Sequence, residues 1–595
     1  MRVLQHRRDG APQHLAGVGR AVKVQHFSQP TQGGGGVSPQ LRSVSILWQG
    51  EFLPSSIIPA VAALRRRLYA PRMDLYGLSF IGGQRGQTGG ATFHGINPAT
   101  GAALEPVYNS ASAAEVEHAA QLAAAAFPVF SATSGKERGA FLRAIATNIE
   151  ALGDTLYSRV MAETALPEPR VKGETARTCG QLRLFATLVE EGSWVDARID
   201  HALPDRQPLP RPDVRSMLRP IGPVLVFGAS NFPLAYSTAG GDVASALAAG
   251  CPVIVKAHAA HPGTGELVAG AIRRAVETCG LPEGVFSCIF DSQRLAAMTL
   301  VKHTAISGVG FTGSRGGGRA IMDAAAARPA PIPVYAEMSS VNPLCLFAGA
   351  LAERGPAIAA GLHVAATMGV GQFCTNPGLV LYDRNADASA FRDEFARLMG
   401  AAACGTMLTK GICASYQDGR ARIAAHPAVK QLASATPAGG NTATPSVFET
   451  TAEAVLADAS LMEEVFGPCT LLIACDGVAG MTALMNALEG QLTASFHGTA
   501  ADFAAAAPLL AAAERRAGRL IFNNFPTGLE VCPAIVHGGP YPATSDGRST
   551  SVGTAAILRW VRSVCWQDFA DALLPDELKE ANPLSIGRLV DGQHQ

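Results

Sequence analysis

A cysteine set among turn-forming residues, Gly371-Gln372-Phe373-Cys374-Thr375-Asn376-Pro377-Gly378, is the position in this chain with the plainest chemical capacity. Glycine before it and Asn-Pro-Gly after it place Cys374 in a loop, following a helix-like run over residues 359–368. Thiolates add to carbonyl carbons and can leave again, which suits a covalent intermediate. Cysteine is also among the most buried residue types, so Cys374 read alone is equally a small core residue. Asn231 stands before Phe-Pro as a turn or N-cap residue, and Glu337 ends an apolar strand where an ordinary ion pair would form.

The elements that must position these groups follow an α/β rhythm. Over residues 220–312, short apolar strands at 224–227, 252–255, 285–290 and 305–311 alternate with helices at 234–249, 263–279 and 293–302. Fully apolar strands suit a parallel sheet covered on both faces, and a repeat of about 30 residues is that of βαβ units. Ligands bind at the carboxyl ends of such strands, where Asn231, Lys256 and Thr312-Gly313-Ser314 fall. Upstream, short strands at 78–83 and 92–94 precede helices at 113–127, opened by Ser112 and Glu115 at capping-box spacing, 136–151 continued by 156–165, and 175–191. The polar, Pro-rich stretch 194–218 reads as an arm or exposed hairpin suited to oligomer contact. A second α/β region runs from near 335 to about 530, followed by a Gly/Ser/Thr-rich loop at 543–548 and an apolar element around 555–564.

Length and composition bound the function. At 595 residues the chain needs more than one core, and 48% hydrophobic against 16% charged residues supply a large interior. Zero net charge gives no bulk electrostatic case for nucleic acid or membrane partners, and no apolar run reaches the roughly 20 residues of a membrane span. The 12 cysteines show no CxxC pair, which argues against a zinc site or a disulfide scaffold and for a reducing, cytoplasmic setting. Residues 1–72 carry ten Lys/Arg against two acidic residues with poor periodicity, so they read as a disordered or upstream extension with Met73 as an alternative start.

Six separated motifs then fall in one family's order. They are Pro220-Ile221-Gly222-Pro223-Val224 with Asn231-Phe232-Pro233-Leu234; Val255-Lys256; Gly310-Phe311-Thr312-Gly313-Ser314; Glu337-Met338-Ser339-Ser340; Gly371-Gln372-Phe373-Cys374; and Glu463-Glu464-Val465-Phe466-Gly467-Pro468. With them, residues 73–570 resemble the aldehyde dehydrogenase superfamily. The runs around His537-Gly538-Gly539-Pro540, Ser545-Asp546-Gly547-Arg548-Ser549-Thr550 and 327–342 resemble the bacterial 2-oxoglutarate semialdehyde (2,5-dioxovalerate) dehydrogenases.

The resemblance implies an α/β fold of two Rossmann-type parallel-sheet domains plus a small strand-based oligomerisation arm. The cofactor domain would span 73–334 with its arm at 194–218, the catalytic domain 335–530, and residues 531–595 would return to the cofactor domain and the oligomer interface. Cys374 would attack the aldehyde carbon, with Asn231 and the Cys374 N–H holding the oxyanion and Glu337 the general base for thioester hydrolysis. Lys256 would hold the adenine ribose, Gly313 and Ser314 would open a pyrophosphate-facing helix, Glu464 would bind the nicotinamide ribose, and Phe466 would pack beside the ring. Where NAD-preferring relatives place a glutamate this chain has Ala259, with His258 beside it, so NADP is expected and NAD possible. Arg177 and Gln181, one turn apart on a helix, and Arg548 are the candidates for anchoring a substrate carboxylate, and no metal is expected. A homodimer or homotetramer is expected. A medium- or long-chain aliphatic aldehyde dehydrogenase and a catalytically idle nucleotide-binding relative are the alternatives. Ser339 and Ser340 depart from the two glycines many relatives carry after the glutamate, and the 72-residue extension has no counterpart there.

Overall fold

A computed structural model describes residues 74–595, together with the backbone of three short strands, Gln13–Leu15, Val22–His26 and Val44–Leu47, which pair antiparallel. The reading of 1–72 as an extension otherwise lies outside the described residues.

Two seven-stranded sheets organise residues 74–595. The first has Val224–Phe227 at its centre, with Val253–Lys256 and Phe286–Ile289 on one side and Gly308–Thr312 then Val334–Glu337 on the other, all parallel. The order reverses at Val224–Phe227, so the carboxyl ends there open a crevice between outgoing loops. Phe80–Ile81 and Gln84–Arg85 finish the far edge antiparallel. Val334–Glu337 thus belongs to the first sheet, and the predicted boundary at 335 is corrected: its backbone pairs with Gly308–Thr312 before the chain crosses over.

The second sheet runs Lys430–Ser434, Ser446–Thr451, Cys469–Cys475, Leu379–Asp383, Leu344–Leu346, Gln491–His497 and Ala517–Phe522. Only its first strand is antiparallel. A third sheet joins the arm to the C terminus: Val214–Pro220 pairs with both Arg198–Asp200 and Val561–Gln567, and Leu589–Val590 extends it. Residues after 531 therefore return to the strand that enters the first sheet.

Local sequence explains most helix starts. Ala113–Phe130 and Gly135–Glu150 each begin with a complete capping box, Ser112 with Glu115 and Ser134 with Glu137, each worth about 1 kcal/mol. The helix expected at 234–249 is shorter, Gly241–Ala249. Residues 233–239 form turns instead, and the amides of Leu234 and Ala235 donate to Glu174 Oε1 at 2.9 and 3.0 Å. The helix expected from 175 begins earlier, as Glu168–Glu191. Among the described residues no helix is long and apolar enough to cross a membrane.

Candidate active site

Cys374 lies beyond the helix Ala348–Thr367 and a turn, Met368–Gly371, whose last three residues all take positive φ. Val370 at φ 61° is a β-branched residue in the left-handed region, so strain sits four residues before the sulfur. Gly371 admits no side chain, because a Cβ there would lie 2.3 Å from the Gly467 carbonyl carbon. That close approach docks the cysteine loop onto the segment carrying Glu464 and Phe466. Asn342 holds the loop from behind, its amide donating to the carbonyls of Cys374 and Asn376 at 2.9 and 3.0 Å.

Glu337 arrives on the last strand of the first sheet and is 2% exposed. Its Oε1 lies 3.0 Å from His537 Nε2, and its Oε2 accepts from Ser551 Oγ at 2.8 Å. The same His537 Nε2 lies 3.3 Å from Cys374 Sγ. The sulfur, the imidazole nitrogen and the carboxylate oxygen all lie within 4.8 Å of one another. Asn231 comes off the central strand and donates to the Gln372 carbonyl at 3.1 Å, so its amide is tied to the cysteine loop. No described group accepts from the Cys374 N–H. Cysteine, glutamate and asparagine, chosen from distant motifs, are therefore assembled at one place.

The electrostatics oppose a free thiolate. Burial, then the Glu337 charge, push the Cys374 thiol well above its ordinary value, with Arg177 pulling the other way. Burial raises Glu337 too, but the charge and hydrogen bond of His537, the Ser551 hydroxyl and the Arg559 charge outweigh it and hold the carboxyl below its usual range.

His537 is the group that sequence reasoning passed over. The signal was present, a histidine opening the Gly-Gly-Pro run, but Glu337 and Cys374 lie 200 and 163 residues away, and nothing local to the motif predicts their meeting. Its loop is fixed by the Thr550 hydroxyl accepting from the His537 N–H and by the Ser551 N–H donating to the His537 carbonyl, at 2.9 and 2.8 Å.

Of the substrate candidates, Arg177 donates to Tyr236 Oη at 2.9 Å, and the Tyr236 ring lies 5.9 Å from the His537 ring. Arg177 and the buried Gln181 line an open cleft of about 520 Å³ with Leu184, Leu529 and Glu530. Arg548 is corrected: its side chain is 92% exposed and forks onto Asp546, outside that cleft, because the loop turns it to solvent.

The cofactor candidates lie along the first sheet's carboxyl edge and the facing loop. Lys256 ends its strand half-buried, and no described residue hydrogen-bonds or ion-pairs its ammonium, a vacancy that suits ribose hydroxyls. His258 stacks on His261 at 5.3 Å, and burial, then its cationic neighbours, keep its pKa well below the ordinary value. Ser314 caps the helix Arg315–Ala326 through the Gly317 N–H, with Gly313 exposed before it. Glu464 lines a second open cleft of about 430 Å³ with Ser339 and Ser340, and burial raises its carboxyl to about 7 against their pull. Phe466 is half-buried beside it and lines a small adjoining cavity. An unpartnered cation at one end and a carboxylate at the other fit a dinucleotide laid across the strand ends.

The model of the aldehyde dehydrogenase family matches residues 85–540. The chain is 50% identical over 523 residues to alpha-ketoglutaric semialdehyde dehydrogenase 2 of Azospirillum brasilense, covering 88% of this chain and 100% of that one. It is 45% identical over 518 residues to the alpha-ketoglutaric semialdehyde dehydrogenase of Acinetobacter baylyi, covering 87% and 98%. Among solved structures, the NADP-dependent glyceraldehyde-3-phosphate dehydrogenase of Bacillus halodurans, complexed with NADP, superposes with a TM-score of 0.71 at 20% identity, covering 83% of this chain and 99% of that one. Aldehyde dehydrogenase 21 of Physcomitrella patens gives 0.70 at 19%, covering 84% and 99%, and both show the same fold. The chain belongs to the aldehyde dehydrogenase family of NAD(P)-dependent oxidoreductases.

Proposed function

We propose that this protein oxidises 2-oxoglutarate semialdehyde to 2-oxoglutarate, using NADP in preference to NAD. The observation that supports this most is the convergence of Cys374, Glu337 and the Asn231 amide, with Arg177 close enough for its charge to act on the Cys374 sulfur. Identity of 50% to a relative named for that substrate agrees with it.

Cys374 adds to the aldehyde carbon, and the oxygen that gains charge takes hydrogen bonds from Asn231 Nδ2 and the Cys374 N–H. Preset donors of this kind usually contribute a factor of about 10²–10³ each. A nicotinamide cofactor, when bound, would supply the hydride acceptor for that carbon, and Cys374 would then carry the acyl group as a thioester. Glu337, ionised in its pocket, takes a proton from the water that cleaves the thioester. A water-activating carboxylate at this place favours hydrolysis over acyl transfer to a thiol cosubstrate. Arg177 faces the entering chain end, where a guanidinium can grip a carboxylate with two hydrogen bonds.

Lys256 and Glu464 would hold the two riboses, with Gly313 and Ser314 near the pyrophosphate and Phe466 beside the ring. The NADP preference rests on charge. Ala259 and the neutral His258 carry no negative charge where NAD-preferring relatives place a glutamate, while the loop after the neighbouring strand brings both an anion, Asp291, and a cation, Arg294, to the Lys256 side. A cytoplasmic enzyme assembled through the arm sheet, as a dimer or tetramer, completes the reading.

A screen of acidic semialdehydes and aliphatic aldehydes at 340 nm, with both dinucleotides, tests it. Turnover should be best for 2-oxoglutarate semialdehyde with NADP. A kcat/KM for NAD about tenfold above that for NADP would overturn the cofactor assignment, and equal turnover of neutral aldehydes would overturn the substrate.

A further inference from the structure

Asn231 and Cys374 reach the site on separate loops, one after the central strand of the first sheet and one after the turn Met368–Gly371, so their separation depends on what joins those loops. The helix Glu168–Glu191 touches both along a single face. Spacings of four, three and four residues place Arg170, Glu174, Arg177 and Gln181 in one stripe. Arg177 and Gln181 line the open cleft, and the first two members meet the loops instead. Glu174 is buried, and its Oε1 accepts from the Leu234 and Ala235 amides at 2.9 and 3.0 Å, three and four residues after Asn231. Its Oε2 accepts from Arg170 Nη2 at 3.2 Å. The Arg170 guanidinium lies 4.4 Å from the centre of the Phe232 ring and 4.7 Å from that of Phe373. Those two rings meet edge to face, 5.1 Å apart at 80°. Phe232 follows Asn231 directly in the chain, and Phe373 directly precedes Cys374.

We propose that Arg170 and Glu174 are positioning residues for the oxyanion donor: the pair fixes the turn that carries Asn231 and couples it to the Cys374 loop, so that the Asn231 amide stands ready where charge develops. The proposal rests on the aldehyde-oxidation reading above and adds to it the groups that preset its oxyanion site. Asn231 Nδ2 carries two N–H groups, and one donates to the Gln372 carbonyl at 3.1 Å. That bond spans the same two loops as the ring pair. Because the amide is planar, it also sets the direction of the second N–H, the one left for the oxygen of the adduct. A shift of the Asn231 turn relative to Gln372 breaks the bond and turns the amide away. A preset donor stabilises the transition state only at its proper distance, and a displacement of about 1 Å can cost about 10²-fold in rate.

An ordinary helix ion pair does not account for this arrangement. With the arginine four residues before the glutamate, the pair has the weaker of the two orientations on a helix. A buried carboxylate is also costly unless several donors meet it. Here the donors are the guanidinium and two amides of the Asn231 turn, so the buried charge is directed at that turn and not at its own helix. The guanidinium in turn lies over a ring from each loop, where its flat face gains from both. Glu174 thus holds the donor's turn from one side, and Arg170 ties that turn to the nucleophile's loop from the other.

A double-mutant cycle with Asn231 tests this. Single-turnover hydride transfer from 2-oxoglutarate semialdehyde to NADP is followed at 340 nm by stopped flow in the full-length enzyme. Glu174→Ala and Arg170→Met should each slow it about 10- to 100-fold, while KM for the aldehyde and NADP affinity stay near wild type. Glu174→Gln, whose amide oxygen can still accept from the Leu234 and Ala235 amides, should recover most of the rate lost in Glu174→Ala. In an Asn231→Ala background, Glu174→Ala and Arg170→Met should each cost less than about threefold, because the donor they position is gone. A merely structural role would lower the melting temperature but would not cancel in that background. Equal slowing in both backgrounds, single-variant rates within about threefold of wild type, or Glu174→Gln no faster than Glu174→Ala would overturn the proposal. Should Glu174→Ala fail to fold, the cycle is read from Arg170→Met, at a side chain that is 20% exposed. An Asn231→Ala enzyme with the wild-type rate would instead refute the oxyanion role in the wider reading, so the two failures are distinguishable.

Discussion

Replacing Glu337 by Gln separates the two halves of the reaction. The carboxylate is buried, ionised, and bonded through one oxygen to His537 and through the other to Ser551. A glutamine keeps the shape, and its amide oxygen can still accept from Ser551, so the fold should survive. What is lost is the base that receives the water proton. General-base catalysis contributes a factor of about 10²–10⁴, or about 3–5 kcal/mol of barrier, and the whole of it falls on thioester hydrolysis. The first half keeps Cys374 and Asn231 and should slow far less. Stopped-flow absorbance at 340 nm should therefore show a burst approaching one reduced cofactor per site, then a steady rate about 100-fold or more below wild type. Loss of the burst in step with the steady rate would refute the assignment of Glu337 to hydrolysis. So would a steady rate within tenfold of wild type.

Three other outcomes follow from the same geometry. Asn231→Ala should lower kcat by about 10²–10³ with little change in NADP affinity, because it removes an oxyanion donor and leaves the cofactor edge intact; steady-state kinetics with equilibrium NADP binding decides this. Arg177→Ala should raise KM for an acidic semialdehyde far more than for propanal, whereas equal effects on both would exclude a carboxylate anchor. Glu464 has a folded-state carboxyl raised to about 7, above its value in the unfolded chain. Its contribution to stability is therefore complete below about pH 4.5 and is lost as pH rises through 7. Glu464→Gln should accordingly melt like wild type near pH 4.5 and above it at pH 8, and calorimetry showing the reverse trend would contradict a raised Glu464 carboxyl.

How much of this was readable beforehand depended on whether a signal was local. Ser112 and Glu115 mark a helix start within one turn, and the capping box is there. Apolar runs at 224–227 and 252–255 form adjacent parallel strands, Val224–Phe227 and Val253–Lys256. Where the chain departs from local pattern, sequence failed: residues 234–239 look helical but form turns, whose Leu234 and Ala235 amides bond Glu174 on a distant helix. Arg548 was a candidate because a substrate carboxylate calls for a cation, but Asp546, two residues before it, satisfies it at the surface. His537 is the instructive omission. Its neighbours in the chain indicate only a turn, and its place in the site exists only because the C-terminal loop folds back over Glu337.

The central claim is that the sulfur at 374 becomes covalently acylated during turnover. Glu337→Gln enzyme, mixed with 2-oxoglutarate semialdehyde and NADP, quenched in acid and digested, should yield one acylated peptide, with the acyl group on Cys374. Acylation of any other cysteine, or a full burst of reduced cofactor with Cys374 unmodified, would contradict the account.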